Sequence, residues 1–551
     1  MAWSIIVFLL FSINIKVWAS PCRARKFDQD SVVCVCNVEY CDFEPPRTPT
    51  FFQYLLYTSD RDGKRFHVTE GYFRPFDKDN DILGKVHNGS DSTPIISIDL
   101  DQDVFQSRPS ANSESQFDYS AASSEAADVE RVEGFGAIFT DSAAINYMSL
   151  SPQSRSNLIR SYFGADGIGY NLCRSTIAGN DFSPRLYTYD DVPSDTSLSH
   201  FNLTEEDYEY KIPMIRAANL SSGGTLQLIA SAWTAPPWMK DNNHYFGRGF
   251  LKPEFYQTYT DYLIKFLDHY KDNGIDVWAL TTGNEPTNAL YGDWPEQFQF
   301  NNMGWSPFGM SKWIGNSLGP SLKSSRHSAT KIFTLDDQKV YMPWYITLGT
   351  CEGDQWLSYV HGIAVHWYMD RFVNALDIIS QTRRTYPHLQ IINTEASNGV
   401  RAGKCLVCLG LWERAEFYAE NIIDNMNVGM AGWIEYNLAL NLTGGPLWHD
   451  SSPLDSPVIV DSTKDEFYKQ PTFYAIGHFS KFIRRGARVV KTTSKRGLVK
   501  ILATIYENRE VVVVFLNKSE EEVHLKVKHP YRGVMDIQLS PRSISTLIYH
   551  K

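Results

Sequence analysis

The chain has 551 residues, 43% hydrophobic and 14% aromatic, with a formal net charge of −11. That length exceeds one ordinary domain and suits a large enzyme barrel with an attached β module. The apolar fraction can build a substantial core, and the acidic balance excludes nucleic acid as a partner, since that needs a basic face.

From the N-terminus, the apolar run Ile5–Phe11 closes in Val17-Trp-Ala19. It reads as a secretory signal over residues 1–20, short for a membrane span and without a basic leading region. No later segment reaches about eighteen uninterrupted apolar residues, so the mature chain is expected to be soluble. Cys22, Cys34, Cys36 and Cys41 crowd the first mature residues, which points to disulfides in an oxidising compartment. Spacing allows three connectivities; the adjacent pairs Cys22–Cys34 and Cys36–Cys41 are favoured, with zinc as the alternative, although no histidine lies inside the cluster. Sequons at Asn88, Asn202, Asn219, Asn441 and Asn517 are expected to carry glycans at several positions.

Runs at Arg65–Phe73 and Ile95–Leu100 are expected to join a β module, and Ser107–Asp128, rich in Ser, Ala, Asp and Glu, reads as a mobile surface insertion. Eight strand-like runs then follow: Val132–Thr140, Gly169–Arg174, Leu226–Trp233, Val277–Glu285, Lys331–Asp336, Gly362–Tyr368, Leu389–Glu395 and Met430–Asn437. Helical spacing separates most of them, as in Pro253–Asn273 and Leu411–Met426. Eight alternations imply an α/β fold, a (β/α)8 TIM barrel with a parallel sheet. An open doubly wound sheet would carry a glycine-rich phosphate turn after its first strand, which is missing. Beyond Gly486, short runs separated by turns (Leu498–Tyr506, Glu510–Leu516, Val523–Lys528, Val534–Leu539, Ile544–Tyr549) imply an antiparallel β sandwich.

Glu285 in Trp278-Ala-Leu-Thr-Thr-Gly-Asn-Glu-Pro286 and Glu395 in Leu389-Gln-Ile-Ile-Asn-Thr-Glu-Ala-Ser397 each end an apolar run. A carboxylate at such a strand end is destabilising unless it is used. In a barrel these ends converge on one rim, and two carboxylates across a rim are the equipment for splitting a glycosidic bond. Glu285 is expected to be the general acid, its pKa raised by apolar walls, and Glu395 the nucleophile, kept ionised by hydrogen-bond donors. Asn284 is expected to present its amide to the sugar 2-hydroxyl. Other strand ends offer Asp181-Phe182, whose carboxylate can bridge two sugar hydroxyls, Trp233 as a stacking ring, and Tyr368, oriented toward Glu395. Cys405-Leu-Val-Cys408 has no partner pair nearby, which leaves a local disulfide or two free thiols; Cys173 and Cys351 are expected to be buried thiols. No metal and no cofactor are called for.

The stretches Cys34-Val-Cys-Asn, Gly134-Phe-Gly-Ala, Trp278–Pro286, Gly362-Ile-Ala-Val-His-Trp-Tyr368, Asn437-Leu-Ala-Leu440, Ile459–Pro471 and Gly477-His-Phe-Ser-Lys-Phe482 resemble the glucosylceramidases of glycoside hydrolase family 30. The resemblance covers nearly the whole mature chain. It implies a retaining exo-β-glucosidase with Glu285 as acid/base and Glu395 as nucleophile. It carries sugar contacts onto Asp181, Trp233 and Asn284, and puts Arg174, His366 and Tyr368 around the nucleophile; Phe182, beside Asp181, is a further candidate contact. It supports the two adjacent disulfides and implies β modules assembled from both ends of the chain. These are a small disulfide-containing module (21–45 with 437–470), a sandwich (46–130 with 486–551) and the catalytic barrel (131–436 with 471–485). It further implies glucosylceramide in membranes as substrate, the lysosome lumen as location, a saposin-like activator and a lysosomal sorting receptor. The basic stretch Arg484-Arg485, Arg488, Lys491, Lys495 and Arg496 has a sharper reading as a contact for anionic lipid. The chain departs from the family where Gly-Trp-x-Asp-Trp-Asn becomes Gly432-Trp-Ile-Glu-Tyr-Asn437, so Tyr436 lines the sugar site with a smaller ring, and the loops Gly292–Trp305 and Ser397–Cys408 diverge. Two other readings stay open: a related β-xylosidase or β-1,6-glucanase, separable by rates on oligosaccharides, and a non-catalytic carbohydrate-binding protein, disfavoured because both glutamates are present.

Overall fold

The structure, a computed structural model, describes residues 21–75, 95–103, 131–290, 300–399, 405–449, 453–494, 499–507, 509–529 and 531–551. The expected signal sequence, Asn88, the Ser107–Asp128 insertion and Lys495-Arg496 lie outside them.

Eight parallel strands close into a barrel in which each pairs with its sequence neighbours: Gly134–Phe139, Leu172–Ile177, Gln227–Ala232, Ala279–Thr281, Lys331–Gln338, Gly362–His366, Gln390–Glu395 and Gly432–Asn437. One apolar residue per strand packs into the interior: Ile138, Leu172, Ile229, Ala279, Phe333, Ala364, Ile392 and Ile434. Side chains two residues further along a strand point the same way. The next layer up is therefore Thr140, Arg174, Ser231, Thr281, His366, Thr394 and Tyr436, polar or aromatic at every one of these places. The apolar layer seals the barrel below, and the polar layer builds the floor of the mouth. Close strand approach explains Gly136, where a Cβ would come within 1.9 Å of the Leu172 carbonyl.

Bulges break this register at the mouth end of strand five (between Leu335 and Asp337) and at the ends of strands six to eight. The first turns Asp336 inward, three residues after Phe333 instead of two. Glu285, Leu335 and Asp336 all hold positive φ (44°, 77° and 58°). Non-glycine residues in that region are strained, and these three stand on one rim.

A nine-stranded sheet lies beside the barrel, built from Gln53–Asp60, His67–Tyr72, Ile95–Asp103, Arg488–Ser494 and the five strands from Lys500 to His550. All its pairings are antiparallel except that of Ile95–Asp103 with Val523–His529. In Glu510–Asn517, Val512, Val514 and Leu516 join the main core, while Val511, Val513 and Phe515 fill a second core on the opposite face. Both faces are covered, so the strand reads as an unbroken apolar run. A small five-stranded sheet joins Ala24–Lys26 and Val32–Cys36 to Glu466–Lys469, Val458–Asp461 and Leu440–Asn441.

Disulfides join Cys22–Cys34, Cys36–Cys41 and Cys405–Cys408. Cys173 is buried as expected, but Cys351 is exposed, because it follows a helix end and not a strand. Asn517 is a second correction: it is fully buried and its Nδ2 donates to the Glu521 and Ser540 carbonyls, leaving no amide to bear a glycan. Asn202 is exposed and Asn219 and Asn441 are partly so.

Candidate active site

Arg174, the inward residue of strand two, organises the mouth. Its guanidinium is fully buried and donates to Glu395 Oε2 at 2.7 Å, to Asp336 Oδ2 at 2.6 Å, to Asn284 Oδ1 at 2.8 Å and, through Nε, to Ser231 Oγ at 2.9 Å. An arginine only donates, so the Asn284 amide must turn its oxygen toward Arg174 and its NH2 away. That leaves the donor end of Asn284 for a bound hydroxyl. Asp336 also accepts from Thr281 and Thr394, each at 2.6 Å, which ties strands four, five and seven to strand two.

Glu395, only 4% exposed, ends strand seven and receives the Tyr368 hydroxyl on Oε1 at 2.8 Å. Glu285 caps a short turn, Pro286–Ala289, after strand four. Neutral amides hold it: Asn288 Nδ2 at 2.7 Å on Oε2 and Gln338 Nε2 at 2.7 Å on Oε1. His366 was expected beside the nucleophile, yet its Nδ1 lies 2.9 Å from Glu285 and 3.9 Å from Glu395, while Nε2 reaches Asp336 at 3.2 Å. The histidine bridges Glu285 to the buried Asp336. Ligand atoms of Glu285, His366 and Glu395 all lie within 4.8 Å of one another, so the two glutamates, 110 positions apart in sequence, face each other directly.

Burial pulls the His366 ring down, but Glu395, Asp336 and Glu285 outweigh it and raise its pKa to about 10. Asp336 is held well below the ordinary carboxylate range, because Arg174 and His366 overcome its burial. Glu395 is pushed up by burial and by Glu285, against the pull of His366, Arg174 and Tyr368. Burial, then the nearby Glu395, drives Asp181 up to about 7; burial and Glu285 do the same to Asp337.

The remaining wall comes from strands two, three and eight. Tyr436 stacks on Trp233 with centroids 6.2 Å apart and meets Phe182 edge-on at 4.9 Å. Its hydroxyl donates to Asp181 Oδ1 and accepts from Asn180 Nδ2. The structure thus brings together Asp181, Phe182, Trp233, Asn284, Tyr368, Tyr436, Arg174, His366 and both glutamates on one rim. Sequence reasoning missed Asp336, Asp337, Gln338 and Asn288. The acidic pair closing Ile332-Phe-Thr-Leu-Asp-Asp337 is the same signal that singled out Glu285. Asn288 and Gln338 carry none.

The basic stretch lies elsewhere. Arg485 donates to the carbonyls of Glu133, Asn171 and Thr225, just before barrel strands one, two and three, which is the end opposite the mouth. Arg484 pairs with Glu510 at 2.9 Å.

Residues 132–483 match the glycosyl hydrolase family 30 TIM-barrel domain and residues 486–547 the glycosyl hydrolase family 30 beta sandwich domain. The chain is 37% identical over 558 residues to a lysosomal acid glucosylceramidase of Mus musculus, covering 100% of both. It is 34% identical to putative glucosylceramidase 3 of Caenorhabditis elegans, over 100% of this chain and 99% of the relative. The solved structure of SrfJ from Salmonella typhimurium shares the fold, with a TM-score of 0.76 at 23% identity over 91% of this chain and 100% of that one.

Proposed function

The chain belongs to glycosyl hydrolase family 30 and is a glycosidase; we propose that it is a retaining exo-β-glucosidase that splits glucosylceramide into glucose and ceramide. One observation supports the retaining mechanism: an oxygen of Glu285 lies within 4.8 Å of an oxygen of Glu395, which leaves little room for a water between them. Retaining enzymes hold their carboxyl groups about 5–5.5 Å apart, whereas inverting enzymes need about 6.5–9.5 Å to admit a water.

In this reading Glu395 attacks the anomeric carbon as the bond to the ceramide oxygen breaks, and Glu285 gives its proton to that oxygen. A glucosyl ester on Glu395 results. Glu285, now a carboxylate, takes a proton from water as the water oxygen attacks the same carbon, which frees Glu395 and releases β-glucose. The roles are assigned from the partners: of the two glutamates only Glu395 bonds to the buried Arg174, with the Tyr368 hydroxyl on its other oxygen, which suits an anionic nucleophile, while Glu285 takes its bonds from two amides and from the His366 ring. Tyr368 aims Glu395, Asn284 meets the 2-hydroxyl, and Asp181, Phe182, Trp233 and Tyr436 take the far end of the ring.

The ceramide aglycone, the lysosome lumen, the saposin-like activator and the sorting receptor rest on full-length likeness to a lysosomal acid glucosylceramidase; the three disulfides fit a secretory route. No described helix is long and apolar enough to cross a membrane, so the lipid substrate would be met at the surface. Labelling with a glucose-configured epoxide tests the reading. An adduct on Glu395, located by mass spectrometry, supports it. Absence of labelling, or first release of the α-anomer, sinks it.

A further inference from the structure

We propose that Tyr436 is a specificity-determining residue: its hydroxyl occupies one oxygen of Asp181, so the sugar site reads one hydroxyl fewer and accepts C4-epimeric β-glycosides beside β-glucosides. The inference rests on the glucosidase reading above and names which sugars that site admits.

The Tyr436 hydroxyl is committed on both sides. Its hydrogen goes to Asp181 Oδ1 and its oxygen receives Asn180 Nδ2 at 3.2 Å. Asn180 is fully buried and is itself held, with its backbone N–H on Ser183 Oγ and its Oδ1 within 2.9 Å of the same hydroxyl. Ser183 lies 2.6 Å from Asp141, which also takes the Tyr187 hydroxyl at 2.8 Å and pairs with the buried Lys211 at 3.0 Å. The ring has no freedom either, wedged between Trp233 and Phe182. A sugar hydroxyl that displaced the tyrosine would strand a buried amide, a loss larger than the hydrogen bond it gained. Asp181 therefore meets the substrate with Oδ2 open and Oδ1 already sharing its lone pairs with Tyr436, which crowds and weakens any second sugar bond there, where an unencumbered carboxylate would bridge two neighbouring hydroxyls equally.

Position says which end of the sugar is affected. Glu285 and Asn284 follow strand four and Glu395 ends strand seven, fixing the anomeric carbon and the 2-hydroxyl between them. Asp181 follows strand two and Tyr436 ends strand eight; strand eight stands across the closed barrel from strand four. The carboxylate thus faces the C4 end of the pyranose, where gluco and galacto configurations differ. A site that hydrogen-bonds an epimeric hydroxyl discriminates strongly, and one that leaves it unread discriminates weakly.

Aryl β-glucosides and β-galactosides, which bypass the lipid, give the test. The gluco-to-galacto ratio of kcat/KM is measured for the full chain, for Tyr436→Phe and for Tyr436→Trp, with Tm recorded for each. Freeing Asp181 should raise that ratio more than about threefold in Tyr436→Phe, the effect of one net hydrogen bond, and likewise in Tyr436→Trp if the phenylalanine form fails to fold. A ratio within threefold of the parent's in the variants that fold overturns the proposal. Should the parent hydrolyse neither glycoside, the glucosidase reading itself falls.

Discussion

His366 at the barrel mouth and His478 at the seam between barrel and sheet are both fully buried, and their surroundings drive them in opposite directions. Around His366 stand Glu285, Asp336 and Glu395, which together raise it to about 10. His478 finds only hydroxyls, Thr546 Oγ1 at 2.8 Å and Ser59 Oγ at 2.9 Å, with the Phe66 and Phe482 rings against it. Burial and the nearby Arg65 depress it to about 3. Burial alone does not decide the charge of a histidine; the count of carboxylates within reach does. The mouth concentrates charge because chemistry needs it. The seam offers His478 no carboxylate, and its one nearby charge, Arg65, is of the same sign as a protonated ring.

The largest effects should come from dismantling the mouth. Glu395→Gln removes the proposed nucleophile and should lower kcat on the order of 10^6-fold, the scale seen when a covalent nucleophile is lost. Glu285→Ala should instead sort substrates by leaving group. With a good leaving group the first step barely changes, whereas a poor one slows by roughly 10^2–10^4-fold. Equal losses on both kinds of substrate would show that Glu285 is not the acid.

Asp336→Asn tests whether the mouth's charge is structural as well as catalytic. Arg174 would keep Glu395 but lose its other buried anion, and His366 would lose the Nε2 partner. Breaking a buried ion pair on one side destabilises by about 3–5 kcal/mol. A fall of that size in the unfolding free energy from denaturant titration is expected; a shift below about 1 kcal/mol would mean that Asp336 is replaceable.

Part of the mouth was readable because strand ends converge on one rim, which singled out Glu285, Glu395, Asp181, Trp233 and Tyr368. Arg174 and Tyr436 came only from the family resemblance, although alternation along the strand from Leu172 and Ile434 puts both inside. The reading stopped where the alternation stops. Asp336 turns inward only because a bulge after Leu335 shifts the register, and nothing in Thr334-Leu-Asp-Asp337 announces which aspartate gains the site. Asn288 reaches Glu285 through a tight turn, so its role depends on backbone geometry and not on pattern. His366 does stand beside Glu395, at 3.9 Å, but its closer contact with Glu285, at 2.9 Å, went unread for a related reason: convergence on one rim is legible, and a difference of that size is not. In the sheet, Gln53–Asp60 went unnoticed although it pairs along its length with Ser543–His550, because its run of Tyr, Leu and Leu suits helix and strand equally.

The seam's histidine should be felt as the solution is acidified. Below its ordinary value of 6.5, the unfolded chain binds a proton at His478 that the folded chain refuses until about pH 3. Stability therefore falls as pH drops through that window. At pH 5 the loss from this one ring amounts to about 2 kcal/mol. His366 adds nothing to this slope, since it is protonated in both states there; its contribution is complete below 6.5 and fades as pH rises toward about 10. Replacing His478 with Gln keeps a group able to bond both hydroxyls and should remove about 2 kcal/mol of acid destabilisation between pH 7 and 5 relative to the parent. An unchanged slope would place a charged ring in the seam and end the contrast with His366.

The smallest effects distinguish two adjacent arginines just after the barrel. Arg485 serves three backbone carbonyls at the closed end of the barrel, and burial lowers its pKa. Arg485→Ala strips those acceptors of donors and should destabilise by about 1–3 kcal/mol. The Arg484 side chain is 61% exposed and pairs with Glu510, so Arg484→Ala should change stability by less than about 1 kcal/mol. The pair also separates structure from lipid contact. If anionic vesicles stimulate turnover through this stretch, Arg484→Ala reduces that stimulation while leaving the melting temperature in place. Equal stimulation in parent and variant would leave Arg484 an ordinary surface ion pair. Any vesicle effect would then have to act through other residues.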